Sequence, residues 1–289
     1  MFKPRFSFST LMLWLGLAFL YLPMLILIIY SFNASRLVTI WGGFSTHWYG
    51  ELLRDEQLLH ALGMSLKIAF YSASMAVAIG TLASLVMTRF RRMRGKTALS
   101  SMITAPLVMP EVITGLSLLL LFTHLAQMIG WPQDRGAMTI WIAHTTFCSA
   151  YVAVIVSARL RELDQSIEEA ALDLGATPFQ SFWLITLPMI APALAAGWLL
   201  AFTLSLDDLV IASFVTGPGA TTLPMVIYSS VRMGVSPKIN ALATLILLTV
   251  SLATFIGWYL MRRAEEKRRQ GLIEKQPFHQ APLKKRNTM

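Results

Sequence analysis

Six stretches of this chain are each apolar for about 20 residues or more, and no other feature narrows its possible folds so sharply. Inside a bilayer every backbone N–H and C=O must find its partner within the protein, so runs of this length fold as helices. The runs cover about 10–32, 62–87, 97–128, 137–158, 189–214 and 239–261. Residues 1–264 are therefore expected to form one all-α transmembrane domain with six spans, a loop at 159–188, and a charged tail at 265–289. The tail contains Pro277 and Pro282 and is expected to be partly disordered beyond about Glu274. The first run is too long for a signal-peptide core and no small-residue cleavage site follows it, so it stays attached. Pro23 within it predicts a kink.

The formal charge of +9 raises the question of nucleic acid, and the placement of the charges answers it. Lys3 and Arg5 precede the first span, and Arg89, Arg91, Arg92, Arg94 and Lys96 fill the gap between the second and third. Arg159 and Arg161 follow the fourth, and Arg262, Arg263, Lys267, Arg268, Arg269 and Lys275 follow the sixth. The opposite gaps hold only Arg36, Arg54, Arg135, Arg232 and Lys238. By the positive-inside rule both termini and the 159–188 loop are cytoplasmic, so the basic excess is topological. A multi-pass protein of the bacterial inner membrane is expected, with no nucleic-acid partner.

The outer segments are short. Residues 33–61 carry Trp41, Trp48 and Tyr49, aromatics suited to the membrane interface, and 51–62 is expected to be a surface helix. Residues 217–222, Gly-Pro-Gly-Ala-Thr-Thr, lack the Gly-Lys-Ser/Thr ending of a phosphate loop and read as a turn before a helix at 223–233. Cys148, the single cysteine, reads as a small hydrophobe. The five histidines have no metal-ligand spacing, and no Ser or Cys nucleophile has a recognisable partner. The chain is expected to be no enzyme and to hold no metal or cofactor of its own.

Two stretches carry the chemistry. The first is 166–188 in the loop. Ser166 and Glu169 have capping-box spacing, and Ile167, Ala170, Ala171 and Leu174 form one apolar stripe of a short helix. Gly175 sits where a helix ends in a left-handed residue. Thr177-Pro178 starts a second helix, and Leu187-Pro188 is expected to close the unit at the membrane boundary. This pattern suits a docking surface. The bland alternative is an amphipathic helix lying on the lipid.

The second stretch is a set of three carboxylates inside the spans, Glu111, Asp207 and Asp208, each costing roughly 2.5–3.5 kcal/mol at a helix centre on insertion scales. Pro110 opens the third span locally before Glu111, and Thr114 and Gly115 share its face. On the fifth span Gly197, Ala201, Ser205, Asp208 and Ala212 form a small and polar stripe, with Asp207 turned about 100° away from Asp208. These groups suit a cationic cargo, and Trp198, Phe202 and Trp141 could add cation–π contacts. The alternative is structural charge pairing, with Lys67 or a partner subunit, and plain packing for the aromatics.

Glu169-Ala170-Ala171, then Gly175 after three residues, then Ile185-x-Leu187-Pro188 after nine more, resembles the EAA loop of ABC-importer permeases. The resemblance implies that this loop seats in a groove of a cytoplasmic ATPase. The run from Ala201 to Phe214, with Ala105 to Glu111 and Arg161 to Asp164, resembles the polyamine (putrescine/spermidine) branch, and most of all the second permease subunits of putrescine importers. Where relatives carry Asp after the Met-Pro pair this chain has Glu111, which keeps the charge on a longer arm. The resemblance implies a type I importer fold with a five-helix core, and a substrate path built from the carboxylates, Ser205 and the aromatics. It also implies partners: a second permease, two ATPases using ATP and Mg, and a periplasmic binding protein. Other solutes, a proton-coupled secondary transporter, and a sensor or scaffold remain as alternatives. The last two leave either the loop or the carboxylates without a purpose.

Overall fold

The structure is a computed structural model and describes residues 8–37, 40–90, 93–234 and 236–274. Along the chain the helices are α1 (Phe8–Tyr30), α2 (His47–Leu52), α3 (Glu56–Arg89), α4 (Lys96–Val108), α5 (Glu111–Ile129), α6 (Ala137–Glu162), α7 (Gln165–Asp173) and α8 (Pro178–Ser181). A π turn (Phe182–Thr186) leads into α9 (Leu187–Asp207), followed by α10 (Val210–Val215), α11 (Leu223–Met233) and α12 (Pro237–Glu274). Among the described residues six helical stretches are long and apolar enough to cross a membrane, in the order the sequence predicts. The basic residues Lys3, Arg5, Arg91, Arg92 and Lys275, and the tail beyond Glu274, lie outside the described residues.

The chain divides into two compact units, one from residues 1–52 and 236–289 and one from 53–235. In the first, the loop after α1 is organised by Asn33, which is fully buried. Its side-chain amide donates to the Ile40 carbonyl at 2.7 Å, while its oxygen accepts from the amides of Ser35 and Gly42. The Trp48 indole on α2 donates to the Asn33 carbonyl at 2.7 Å. Such complete pairing is what permits a buried amide. α2 is tied to α12 by Glu51, which meets Lys238 at 3.3 Å and His47 at 2.8 Å.

The second unit is a bundle in which α3, α6 and α9 pack closely. On α3, Ala69, Ala73, Ala76, Gly80 and Ser84 recur at spacings of 4, 3, 4 and 4, and all are buried. Small residues let backbones approach where lipid gives no hydrophobic drive for helix association. A Cβ at Gly80 would stand 2.8 Å from Val152 of α6, and one at Gly197 of α9 would stand 3.4 Å from the same valine. The Ser84 hydroxyl donates to the Ala153 carbonyl across this contact at 2.8 Å.

Five expectations about local structure are corrected. The third span is two helices, because Pro110 has no N–H and disfavours a helical residue before it. Met109 is accordingly extended, with φ −74° and ψ 136°. The fifth span also breaks: α9 stops at Asp207 and Asp208 is extended, so the 100° rotation between them does not apply. The outer surface helix is α2 at His47–Leu52, and α3 begins early at Glu56, capped by Asp55, which accepts from the Leu58 amide at 3.1 Å. The cap of α7 is Asp164, not Ser166, so the Ser166–Glu169 box is absent. Finally, Leu187-Pro188 interrupts nothing. The π turn, in which Leu187 N–H bonds to the Phe182 carbonyl, carries the helix past the missing proline N–H. The helix at Leu223–Met233 matches its predicted bounds.

If the α3–α6 contact is as close as this, Gly80→Ala lowers the melting temperature of the purified protein in detergent, at a cost of about 1–3 kcal/mol. Adding Val152→Ala, which opens the facing space, recovers part of the loss. An unchanged melting temperature for Gly80→Ala contradicts the close contact.

Candidate functional site

The break between α9 and α10 is built around Asp208, only 9% exposed. Its carboxylate accepts from the α10 amides of Ile211 (3.3 Å) and Ala212 (2.7 Å), capping that helix. It also meets His144 Nε2 of α6 at 3.1 Å, and His144 Nδ1 meets the Ser205 hydroxyl at 2.7 Å. His144 is itself buried, at 1% exposure. An ionised carboxylate only accepts, so Nε2 donates, and in the neutral ring Nδ1 accepts the Ser205 proton. Both ring nitrogens of the imidazole are thus partnered. Asp208 and Ser205 therefore face α6. The side-chain partner of Asp208 on α6 is His144; Lys67 is exposed on α3 and takes part in no ion pair among the described residues.

Glu111 and Asp207 are exposed, and neither joins an ion pair among the described residues. Glu111 opens α5 after the Pro110 break. Its helix is held by Gly115, where a Cβ would stand 2.7 Å from the Phe214 ring of α10. His144, Cys148 and Tyr151 lie on one face of α6 at spacings of 4 and 3. Along it, Tyr151 lies within electrostatic reach of Glu111, and Cys148 within reach of both aspartates. Of the three carboxylates, Asp208 is turned in against α6, and Glu111 and Asp207 are exposed. Trp198 and Phe202 of α9 stack with centroids 5.2 Å apart, Phe70 of α3 meets Trp198 edge-on, and the Trp198 indole donates to Ser74 at 3.2 Å. Trp141 is half-buried on α6.

The 159–188 loop is a capped helical hairpin. Asp164 accepts from the Ser166 amide at 3.0 Å, a bond that holds its carboxyl below the usual carboxylate range. α7 ends in paired C-terminal bonds, Gly175 N–H to Leu172 and Ala176 N–H to Ala171, with Gly175 at φ +89°. Thr177 and Gln180 form a reciprocal capping box at α8. Ala171 is buried, whereas Glu169, Ala170 and Ile167 are exposed and Leu174 is 90% exposed. Ile185 and Leu187 are half-buried and Pro188 exposed, on the helix leading into the membrane. The neighbour of Glu169 behaves differently. Glu168 turns inward, ion-pairs with Arg89 at the end of α3, and accepts from the buried Thr186 hydroxyl of the π turn at 2.8 Å. These three side chains line a cavity of about 320 Å³.

Sequence reasoning missed His144, Glu168 and Arg89. An ionisable side chain within a span is expected to have a partner, and that rule covers histidine as well as carboxylates. Arg89 was hidden in a basic cluster that topology already explained, and Glu168 by the adjacent Glu169. No group of three or more metal-ligating side chains comes together among the described residues.

Residues 76–270 match the family of binding-protein-dependent transport system inner membrane components. The chain is similar to the putrescine transport system permease protein PotI of Escherichia coli (strain K12), with 66% identity over 91% of this chain and 94% of that one. It is 44% identical to the spermidine/putrescine transport system permease protein PotC of the same strain, over 89% and 94%. Among solved structures, a bacterial ABC transporter that imports the polysaccharide alginate has the same fold at a TM-score of 0.66 and 16% identity, covering 90% of this chain and 99% of that one.

The buried network predicts an order of stabilities. His144→Leu, which strands the Asp208 carboxylate, costs about 3–5 kcal/mol in detergent unfolding. Asp208→Asn costs less, because an amide oxygen still caps Ala212 and still accepts from Nε2. Equal losses for the two variants would show that the carboxylate does not depend on the imidazole.

Proposed function

This chain belongs to the family of binding-protein-dependent transport system inner membrane components, a multi-pass inner-membrane family, and from that premise we propose that it forms half of the path through which a polyamine, putrescine first, is imported. The observation that carries the cargo assignment is 66% identity, over nearly the whole of both chains, with a putrescine permease. The placement of charge supports it. A polyamine carries several ammonium groups at neutral pH and sheds hydration on entering the membrane. Exposed carboxylates replace that hydration, and their own desolvation is offset by the cation.

In this reading Asp207 and Glu111 are the carboxylates that meet the cargo in turn, with Trp198 and Phe202 offering ring faces and Trp141 standing further along α6. Asp208 and Ser205 work from behind, fixing the half-helix α10 against α5 so that Glu111 keeps its place. Two weakly holding acids, set apart, allow release better than one enclosed cage. The ATPases are separate subunits that use ATP and Mg. A second permease completes the path, a periplasmic protein delivers the amine, and α7–α8, with Glu169 and Leu174 outward, seats in the ATPase. Both termini lie in the cytoplasm, as the basic residues favour.

The test is ATP-dependent uptake by the co-purified complex in proteoliposomes, across diamines, longer polyamines and amino acids. Putrescine is expected to be the best cargo, and uptake of amino acids alone would overturn the assignment. Glu111→Gln lowers putrescine uptake several-fold with the complex intact, and Asp207→Asn does the same. Wild-type uptake by the double variant removes these residues from the path. For topology, reporter fusions at Met93 and Asp173 read cytoplasmic and fusions at Gly43, Gln133 and Gly219 read external; a cytoplasmic signal at Gly219 contradicts the six-span arrangement.

A further inference from the structure

We propose that Glu168, Arg89 and Thr186 form a clamp that makes the docking loop move as one body with the membrane helices, and that this clamp is required for coupling ATP hydrolysis to transport rather than for assembly. The inference rests on the ATP-driven import reading above. A short helix can pass motion to a membrane span only through a rigid contact, since a flexible loop absorbs displacement. α7 and α3 are 79 residues apart at this contact and share no continuous helix. What joins them is the single oxygen Oε1 of Glu168, which accepts from the Arg89 guanidinium and from the Thr186 hydroxyl together.

Each partner sits where it can transmit force. Arg89 is the last residue of α3, whose other turns pack on α6 through the small-residue stripe. Thr186 is buried and closes the π turn that feeds α9. A π turn adds one residue, which rotates the side chains that follow by about 100° relative to an unbroken α-helix. The loop is thus held to two of the three helices of the close-packed bundle. The surroundings favour a firm pair. Leu85, Phe90, Leu172 and Phe182 wall the cavity around it, and the Arg89 and Glu168 side chains are 18% and 23% exposed. A partly buried pair is screened by salt far less than an open one. Adjacent carboxylates therefore divide the work: Glu169 faces out toward what docks, and Glu168 faces in toward the spans.

The measurement is uptake per ATP hydrolysed, read on the intact complex in proteoliposomes with loaded binding protein. Glu168→Gln, Arg89→Gln and Thr186→Val each lower this ratio about threefold to thirtyfold, while the ATPase subunits still co-purify at wild-type level. The charge-swapped chain, Arg89→Glu with Glu168→Arg, recovers to within about twofold of wild type, because the pair is rebuilt and the Thr186 hydroxyl can accept from the new guanidinium. Single variants with a wild-type ratio would overturn the proposal. So would a swap no better than the singles, or variants whose only defect is lost ATPase subunits. The ratio is read with whichever solute the wild-type complex takes up, so a wrong cargo changes the substrate assignment and leaves this test standing.

Discussion

The close contact of α3 with α6, at Gly80 against Val152, is the constraint on which the 53–235 unit depends. In lipid, apolar side chains gain nothing by leaving one hydrocarbon for another, so helices associate through tight packing and shared hydrogen bonds. The α3 stripe supplies the packing, and Ser84 to the Ala153 carbonyl supplies a bond. α9 joins the same spot through Gly197. Once these three helices are fixed, His144 of α6 faces Ser205 and Asp208, and Arg89 at the foot of α3 faces the loop.

The three buried-span carboxylates show how a membrane protein handles charge. Asp208 is hydrogen-bonded locally by two amides and an imidazole, which offset the cost of burying it. Glu111 and Asp207 begin or end helices at breaks and remain exposed. Breaks of this kind are tolerated only where protein or a cavity can satisfy the freed backbone groups. The same discontinuity thus performs two tasks. It is anchored by one acid, Asp208, and leaves another, Asp207, exposed.

The loop between α6 and α9 has a comparable two-sided design. Its caps, Asp164, Gly175 and Thr177 with Gln180, fix its shape from within. Leu174, Ile167 and Glu169 are exposed, while Ala171 is buried and Glu168 bonds to the spans. A helix that is rigid inside and bonded on its inner face is suited to carry displacement from one side to the other.

The sequence alone determined the number and order of the spans, since the thickness of a bilayer sets the length of each apolar run. It also determined the turn at Gly175 and the cap at Thr177, because left-handed backbone and an unpaired helix start select their residues locally. The family was legible in the spacing from Glu169 to Pro188. Other features were decided only in three dimensions. Whether Pro110 merely loosens a helix or ends it, and whether Asp208 continues α9 or caps α10, depends on partners far along the chain. His144 lies 64 residues before Asp208, and Glu168 lies 79 residues after Arg89. Helical periodicity says which face a carboxylate occupies while the helix is unbroken. It cannot say which distant side chain will be waiting there, because that follows from how closely small residues let the helices approach.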